Sequence, residues 1–195
     1  MTMKNKTDIR NEAKKAALSL ENGYINRAGK KIQKRIISSE IYKKSKSVFI
    51  YVSLDNEAPT GEIINDAFAG GKTVLVPKCF ENGIMKAVKI ESTDDLEKGK
   101  FGIFEPKSYC SEYFPRNIDL AIVPCVSAFV NGARIGHGRG YYDRFFEKYQ
   151  MTKICLCFER LLRDDIIMLD NDIYMDCVVT ENGCYPNLLD GFGKL

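Results

Sequence analysis

The sequence predicts an α/β fold, a mostly parallel sheet flanked by helices. Three observations carry that expectation. Short β-branched and aromatic runs alternate with stretches of helical spacing along the chain. The strand-like runs are apolar almost throughout, as in a sheet covered on both faces. The length of 195 residues suits one domain. A chain of that size hides roughly 70% of its unfolded surface, enough for a core without disulfide or metal.

The elements follow in order. Ile9, Ala13, Ala16, Ala17 and Leu20 recur at helical spacing, and Asn22-Gly23 reads as the stop of that helix. Ala28, Ile32, Ile36, Ile37 and Ile41 repeat the pattern in a second helix. Residues 47–52 read as a buried strand, 58–69 as a short helix closed by Gly70-Gly71, and 73–76 as a strand stopped by Pro77. A third strand is expected over Met85 to Ile90, after the Asn82-Gly83 turn. Residues 91–117 read as irregular. Strands over 119–124, 154–158 and 177–180, and a helix over 141–149, complete the set. With no repeat and no linker, the whole chain, 1–195, is expected to be one three-layer, Rossmann-like domain. Ligands in such sheets sit beyond the carboxyl ends of the strands, which points to loops 53–60 and 124–142.

Composition narrows the class. Hydrophobic residues at 45% and charged residues at 28% exclude disorder and low complexity. The longest apolar stretch, Leu120 to Val130, is broken by Pro124 and Ser127 and is too short to span a bilayer. The N-terminal residues carry no apolar segment of a secretory signal. The seven cysteines form no CxxC and read as buried thiols, with Cys155 and Cys157 on one strand face. A reduced, cytoplasmic protein without a membrane partner is expected. The net charge of +3 is uneven, because residues 1–46 hold 13 Lys/Arg against 4 Asp/Glu. That segment suits an anionic ligand, nucleic acid or polyphosphate, or simply a solvated helix face.

The densest signal is the run Asn131 to Arg144. Glycines at 136, 138 and 140 let the backbone approach a ligand, successive amides make an anion nest, and a helix N-terminus follows. Arg134 and Arg139 add permanent charge and fork-shaped donors. The spacing is neither GxxxxGK[ST] nor GxGxxG, and the kinase motifs are missing. Asp143 falls in the first helical turn, where it either complements the helix dipole or holds Mg²⁺ on a phosphate. Asp172 is a second carboxylate, read alone as a turn residue. His137, the single histidine, suits a phosphate contact better than a general base, since no nucleophile is paired with it.

The run Arg134-Ile135-Gly136-His137-Gly138-Arg139-Gly140-Tyr141-Tyr142-Asp143 closely resembles the signature of the 5-formyltetrahydrofolate cyclo-ligase family. Phe101 to Pro106, Asn171-Asp172 and Asp176 to Glu181 resemble further family segments in the same order. Lys6 and Arg10 resemble the family's N-terminal ATP-binding pair, with Lys14 continuing their helix face. The resemblance implies conversion of 5-formyltetrahydrofolate to 5,10-methenyltetrahydrofolate with ATP and Mg²⁺, through a phosphorylated formyl (iminium phosphate) intermediate. It implies ATP contacts at Lys6, Arg10 and residues 134–142, with Arg139 on the transferred phosphoryl group. It implies folate contacts at Val52, Glu57, Phe101 and residues 137–141, and Mg²⁺ at Asp143 and Asp172. Core packing explains the aromatics Phe101 and Tyr141 equally well. Cys125 and Val130 stand where the family usually has a small residue and Asp. A monomer acting on small molecules, without nucleic acid, is expected. The competing readings are a binding protein that keeps the pocket without turnover, an RNA-binding protein using the basic segment, and a sugar-phosphate isomerase or CoA-transferase-like enzyme on a related sheet.

Overall fold

The computed structural model describes residues 4–99, 102–114, 116 and 118–186. Helix α1 (Lys6–Leu18) opens on a capping box. The Asn5 side chain accepts from the amides of Thr7 and Asp8, and Asp8 accepts from the Asn5 amide. The helix ends at Leu18, and Asn22-Gly23 lies inside the first turn of α2 (Asn22–Ser38) rather than stopping α1. The Asn-Gly pair signals a break, but the chain breaks just before it. Ser39 stops α2 and caps the short α3 (Glu40–Lys44), so Ile41 belongs to a third helix.

Strand β1 (Ser47–Ile50) is buried along its whole length. It leads through loop 51–60 into α4 (Gly61–Ala69), which starts three residues later than the expected 58. Thr60 makes no side-chain cap there, and the buried Gln33 of α2 supplies one, accepting from the Glu62 amide at 2.8 Å. Gly29 of α2 lies against Pro59 so closely that a Cβ would come within 2.3 Å of the proline ring. Strand β2 (Thr73–Cys79) continues through Pro77 instead of stopping there as the sequence predicts. Its pairing with β1 stops at Leu75, so Pro77 is bonded only on the side of β3 (Met85–Ile90) and behaves as an edge residue. Within 91–117 a small hairpin forms, β4 (Leu96–Lys98) against β5 (Phe104–Pro106).

The remaining elements are β6 (Leu120–Pro124), the short pair β7 (Ser127–Ala128) and β8 (Arg134–Ile135), α5 (Tyr141–Lys148), β9 (Thr152–Leu156), β10 (Cys177–Val179) and β11 (Cys184–Pro186). The main sheet has the order β11-β10-β9-β6-β1-β2-β3. Its five inner strands run parallel, and β3 and β11 close the edges antiparallel. The fold class is as expected, an α/β sheet with flanking helices. Phe145 of α5 stacks on Phe49 of β1 with ring centroids 4.9 Å apart. Cys125, Cys155, Cys157 and Cys177 are buried thiols, while Cys110 and Cys184 are partly covered and Cys79 is exposed. Among the described residues no helix is long and apolar enough to cross a membrane.

From β1 the chain passes to β2 on one side, and from β6 it passes to β9 on the other. The crevice between the carboxyl ends of β1 and β6 is therefore the switch point of the sheet, where ligands of open α/β sheets bind. At the opposite end, Asp119 ties the two strand starts together. Its carboxylate accepts from the amides of Lys46 and Ser47 at 2.7 and 2.9 Å and from the Ser47 hydroxyl at 3.1 Å. Desolvation pushes its pKa up, but these bonds outweigh that and hold it below the ordinary value. A depressed folded pKa stabilises above the unfolded pKa, and the gain fades as pH falls through the folded value. Asp119→Ala is expected to cost about 1–2 kcal/mol at neutral pH, by the loss of these hydrogen bonds. The difference from the parent should shrink below pH ~4, as urea unfolding at two pH values would read.

Candidate functional site

Loops 51–60 and 125–140 rise from the two strand ends that flank the switch point, and α1 lies across them. Arg10 donates from Nε to the Gly136 carbonyl at 3.1 Å. One turn earlier, Lys6 forms an ion pair with Asp172, 166 residues away in sequence. The helical spacing of the two cations thus becomes two contacts on the same side of the crevice. Asp172 also accepts from the Leu169 amide at 2.6 Å, which closes the turn that carries it.

The glycine loop is braced from below. Arg134, with a side chain only 5% exposed, pairs through Nη2 with Asp143 at 2.9 Å. Its guanidinium lies 5.7 Å from the Tyr142 ring centroid. Its buried Nε has no partner among the described residues, an orphan donor that an acceptor from a ligand would satisfy. Asp143 also accepts from the Ile173 amide at 3.2 Å. That bond sets Asp143 beside Ile173, the residue that follows Asp172. Each carboxylate already has one oxygen bonded, by Arg134 and Ile173 or by Lys6 and Leu169, and a second oxygen beside it. Mg²⁺ takes one or two carboxylates and completes its shell with phosphate and water, so this pair fits the ion.

Gly138 has φ +101° and Gly140 φ +64°, a backbone region closed to most side chains. A Cβ at Gly138 would also meet the Arg10 guanidinium at 3.2 Å. Arg139 and His137 are exposed at the loop crest. His137 bonds Glu57 across the crevice, Nε2 to Oε1 at 3.1 Å. Glu57 is held in turn by the Leu54 amide on Oε2 at 2.9 Å, and its side chain is only 9% exposed. Beside them lies a pocket of about 150 Å³, lined by Lys14, Ala17, Leu18, Glu57, Cys125 and His137. Leu18 is 74% exposed and offers apolar surface there. Cys125 fills the pocket floor, its thiol directed at the Leu156 carbonyl at 3.3 Å.

Not every expected contact residue faces this crevice with its side chain. Ile135 is fully buried in β8, so it can meet a ligand only through its backbone. The Tyr142 ring packs near Phe49 and Phe146, with centroids 6.3 and 6.0 Å away. Burial pushes its hydroxyl pKa well up. Val52, just past β1, is half-buried against the core. Tyr141 donates to the Phe80 carbonyl at 3.0 Å. Phe101 lies outside the described residues. Asp176 and Glu181, from the C-terminal segment, brace the sheet ends, Asp176 on Lys153 and Glu181 on Tyr24. Two residues that the sequence reading did not single out for the site stand there. Leu18, the last residue of α1, opens onto the pocket, and Arg144 bonds the carbonyls of Gly83 and Arg139.

Comparison with known proteins shows the family and the fold. The model of the 5-formyltetrahydrofolate cyclo-ligase family matches residues 2–181. A probable 5-formyltetrahydrofolate cyclo-ligase of Schizosaccharomyces pombe is 32% identical over 174 residues, covering 80% of this chain and 85% of the relative. The 5-formyltetrahydrofolate cyclo-ligase of Saccharomyces cerevisiae is 28% identical over 207 residues, covering 93% and 97%. Among solved structures, the 5,10-methenyltetrahydrofolate synthetase of Aquifex aeolicus superposes with a TM-score of 0.84 at 25% identity, covering 97% of this chain and 96% of that one. With the family model matching residues 2–181, a named relative 32% identical over 80% of the chain, and the fold shared with a solved synthetase, the chain belongs to the 5-formyltetrahydrofolate cyclo-ligase family.

Proposed function

We propose that the protein converts 5-formyltetrahydrofolate to 5,10-methenyltetrahydrofolate, consuming ATP with Mg²⁺ and releasing ADP and phosphate. The observation that carries this reading is the meeting of α1 with the glycine loop. Arg10 on Gly136, Lys6 on Asp172 and Arg134 on Asp143 gather cations, carboxylates and open amides at one crevice. That is a polyphosphate site, and the pocket at Glu57 adjoins it with apolar and acidic walls.

The chemistry uses these groups in order. The formyl oxygen is a poor leaving group until it carries phosphate. It attacks the γ-phosphorus as the bond to ADP breaks. The neighbouring anilino nitrogen then adds to the activated carbon, loses its proton, and expels phosphate as the ring closes. Most of the work is alignment and charge compensation on the transferring phosphoryl group. Lys6, Arg10 and Arg134 hold the triphosphate, and the amides of residues 136–140 cradle it. Arg139 meets the group in flight. Asp143 and Asp172 would hold Mg²⁺, which would offset phosphate charge. Glu57, with His137 against it, accepts hydrogen bonds from the pterin, and Leu18 and Tyr141 lend flat or apolar surface. The protein acts as a cytoplasmic monomer on small molecules, with no nucleic acid or membrane partner.

The test is near-ultraviolet absorbance of the methenyl product, with protein, 5-formyltetrahydrofolate, ATP and Mg²⁺ each omitted in turn. A signal that needs all four supports the reading. A folded protein that binds ATP or folate without forming product would overturn it in favour of a non-catalytic binding protein that keeps the pocket.

A further inference from the structure

Arg139 stands on a loop whose crest is solvent-exposed, yet its backbone is not left to drift. Arg144, in the first half of α5, turns back over that loop and also reaches the turn between β2 and β3. Its Nε donates to the Gly83 carbonyl at 3.1 Å, and its Nη2 donates to the carbonyl of Arg139 itself. Its guanidinium lies 5.9 Å from the Tyr141 ring centroid, and the Tyr141 hydroxyl bonds the Phe80 carbonyl of the same turn. Two glycines make room for it. A Cβ on Gly83 would fall 2.1 Å from Arg144 Nη2, and one on Gly140 would fall 2.9 Å from Nη1. Both glycines hold positive φ, +73° and +64°. Among the described residues no carboxylate forms an ion pair with Arg144, so its forked donors serve backbone acceptors.

We propose that Arg144 is a positioning residue for phosphoryl transfer. By joining the Arg139 carbonyl to the β2–β3 turn, it sets the direction in which the Arg139 side chain leaves the loop. This rests on the reading of Arg139 as the contact to the transferred group. A guanidinium fork spans two carbonyls on different segments, and a lysine ammonium offers only a point donor on a flexible stem. A displacement of about 1 Å at a reacting centre costs up to about 10²-fold in rate.

The test is a double-mutant cycle read by single-turnover and steady-state kinetics on folded protein. Arg144→Ala is expected to lower kcat by about 10- to 100-fold, with KM for the folate nearly unchanged. Arg144→Lys should not restore it. Gly83→Ala, which drives a methyl group into the guanidinium, should give the same kinetic loss by an independent route. Arg139→Ala/Arg144→Ala should be no slower than Arg139→Ala alone, because one residue acts through the other. An unchanged kcat in Arg144→Ala, full rescue by Lys, or losses that multiply in the double variant would overturn the proposal. Should Arg139→Ala turn over normally, the reading of Arg139 has failed, and hydrogen exchange then judges the clamp. Faster exchange at residues 80–84 in Arg144→Ala upholds it, and unchanged exchange ends it.

Discussion

Arg139→Ala is expected to lower kcat by about 10²- to 10³-fold, the loss typical of removing one donor aimed at charge that develops in the transition state. The side chain stands at an exposed crest, so thermal stability should change little, by about 0.5 kcal/mol or less. Arg139→Lys should recover part of the rate, because charge is kept while the forked geometry is lost. The absorbance assay at saturating ATP and folate checks this. A variant with parental kcat would remove Arg139 from the phosphoryl-transfer step and leave the other cations to carry it.

Asp143→Ala should act on stability and activity together. Arg134 is buried, and its partner is this carboxylate. Stripping one side of a buried pair leaves an uncompensated charge and typically costs about 3–5 kcal/mol. The variant also loses the acidic residue in the first turn of α5, worth a further ~0.3–1 kcal/mol. Asp143→Asn keeps an oxygen acceptor for Arg134 and for the Ile173 amide, so it should fold far better. If Asp143 holds Mg²⁺, the Asn variant should still need a raised Mg²⁺ concentration for half-maximal rate. Denaturant unfolding separates the two effects, and an Asn variant with the parental Mg²⁺ dependence would assign Asp143 to Arg134 alone.

What the sequence made legible was whatever depends on local spacing. The apolar runs at 47–50 and 120–124 announce buried parallel strands, and the glycines at 136–140 announce a loop near a ligand. Lys6 and Arg10 are legible as a face, since four residues make one helical turn. Their partners are not, because Asp172 and Gly136 arrive by tertiary folding across more than a hundred residues. The bond between His137 and Glu57 is hidden for the same reason. Pro77 misleads because a proline is excluded from a strand only where a paired neighbour needs the amide hydrogen it lacks, and β1 no longer pairs with β2 at that point. Asn22-Gly23 misleads because the first turn of a helix tolerates residues that its middle does not. Strand β11 is not legible because its three residues carry too little pattern to stand out. Arg144 carries no sequence signal of its role, since nothing in local spacing says that it folds back onto two carbonyls.

The close seating of Pro59 on Gly29 has a consequence for anyone engineering this protein. Replacing a glycine inside a helix by alanine is a standard stabilising substitution, worth roughly 0.5–1 kcal/mol. At Gly29 it would work in reverse, because the added methyl overlaps the proline ring and one of them must give way. Pro59 lies two residues from Glu57, so the strain would pass into the wall of the pocket. A variant library built on helix propensity alone would therefore pick a position in α2 that acts as the seat of a loop, and it would return altered folate affinity where it sought heat resistance.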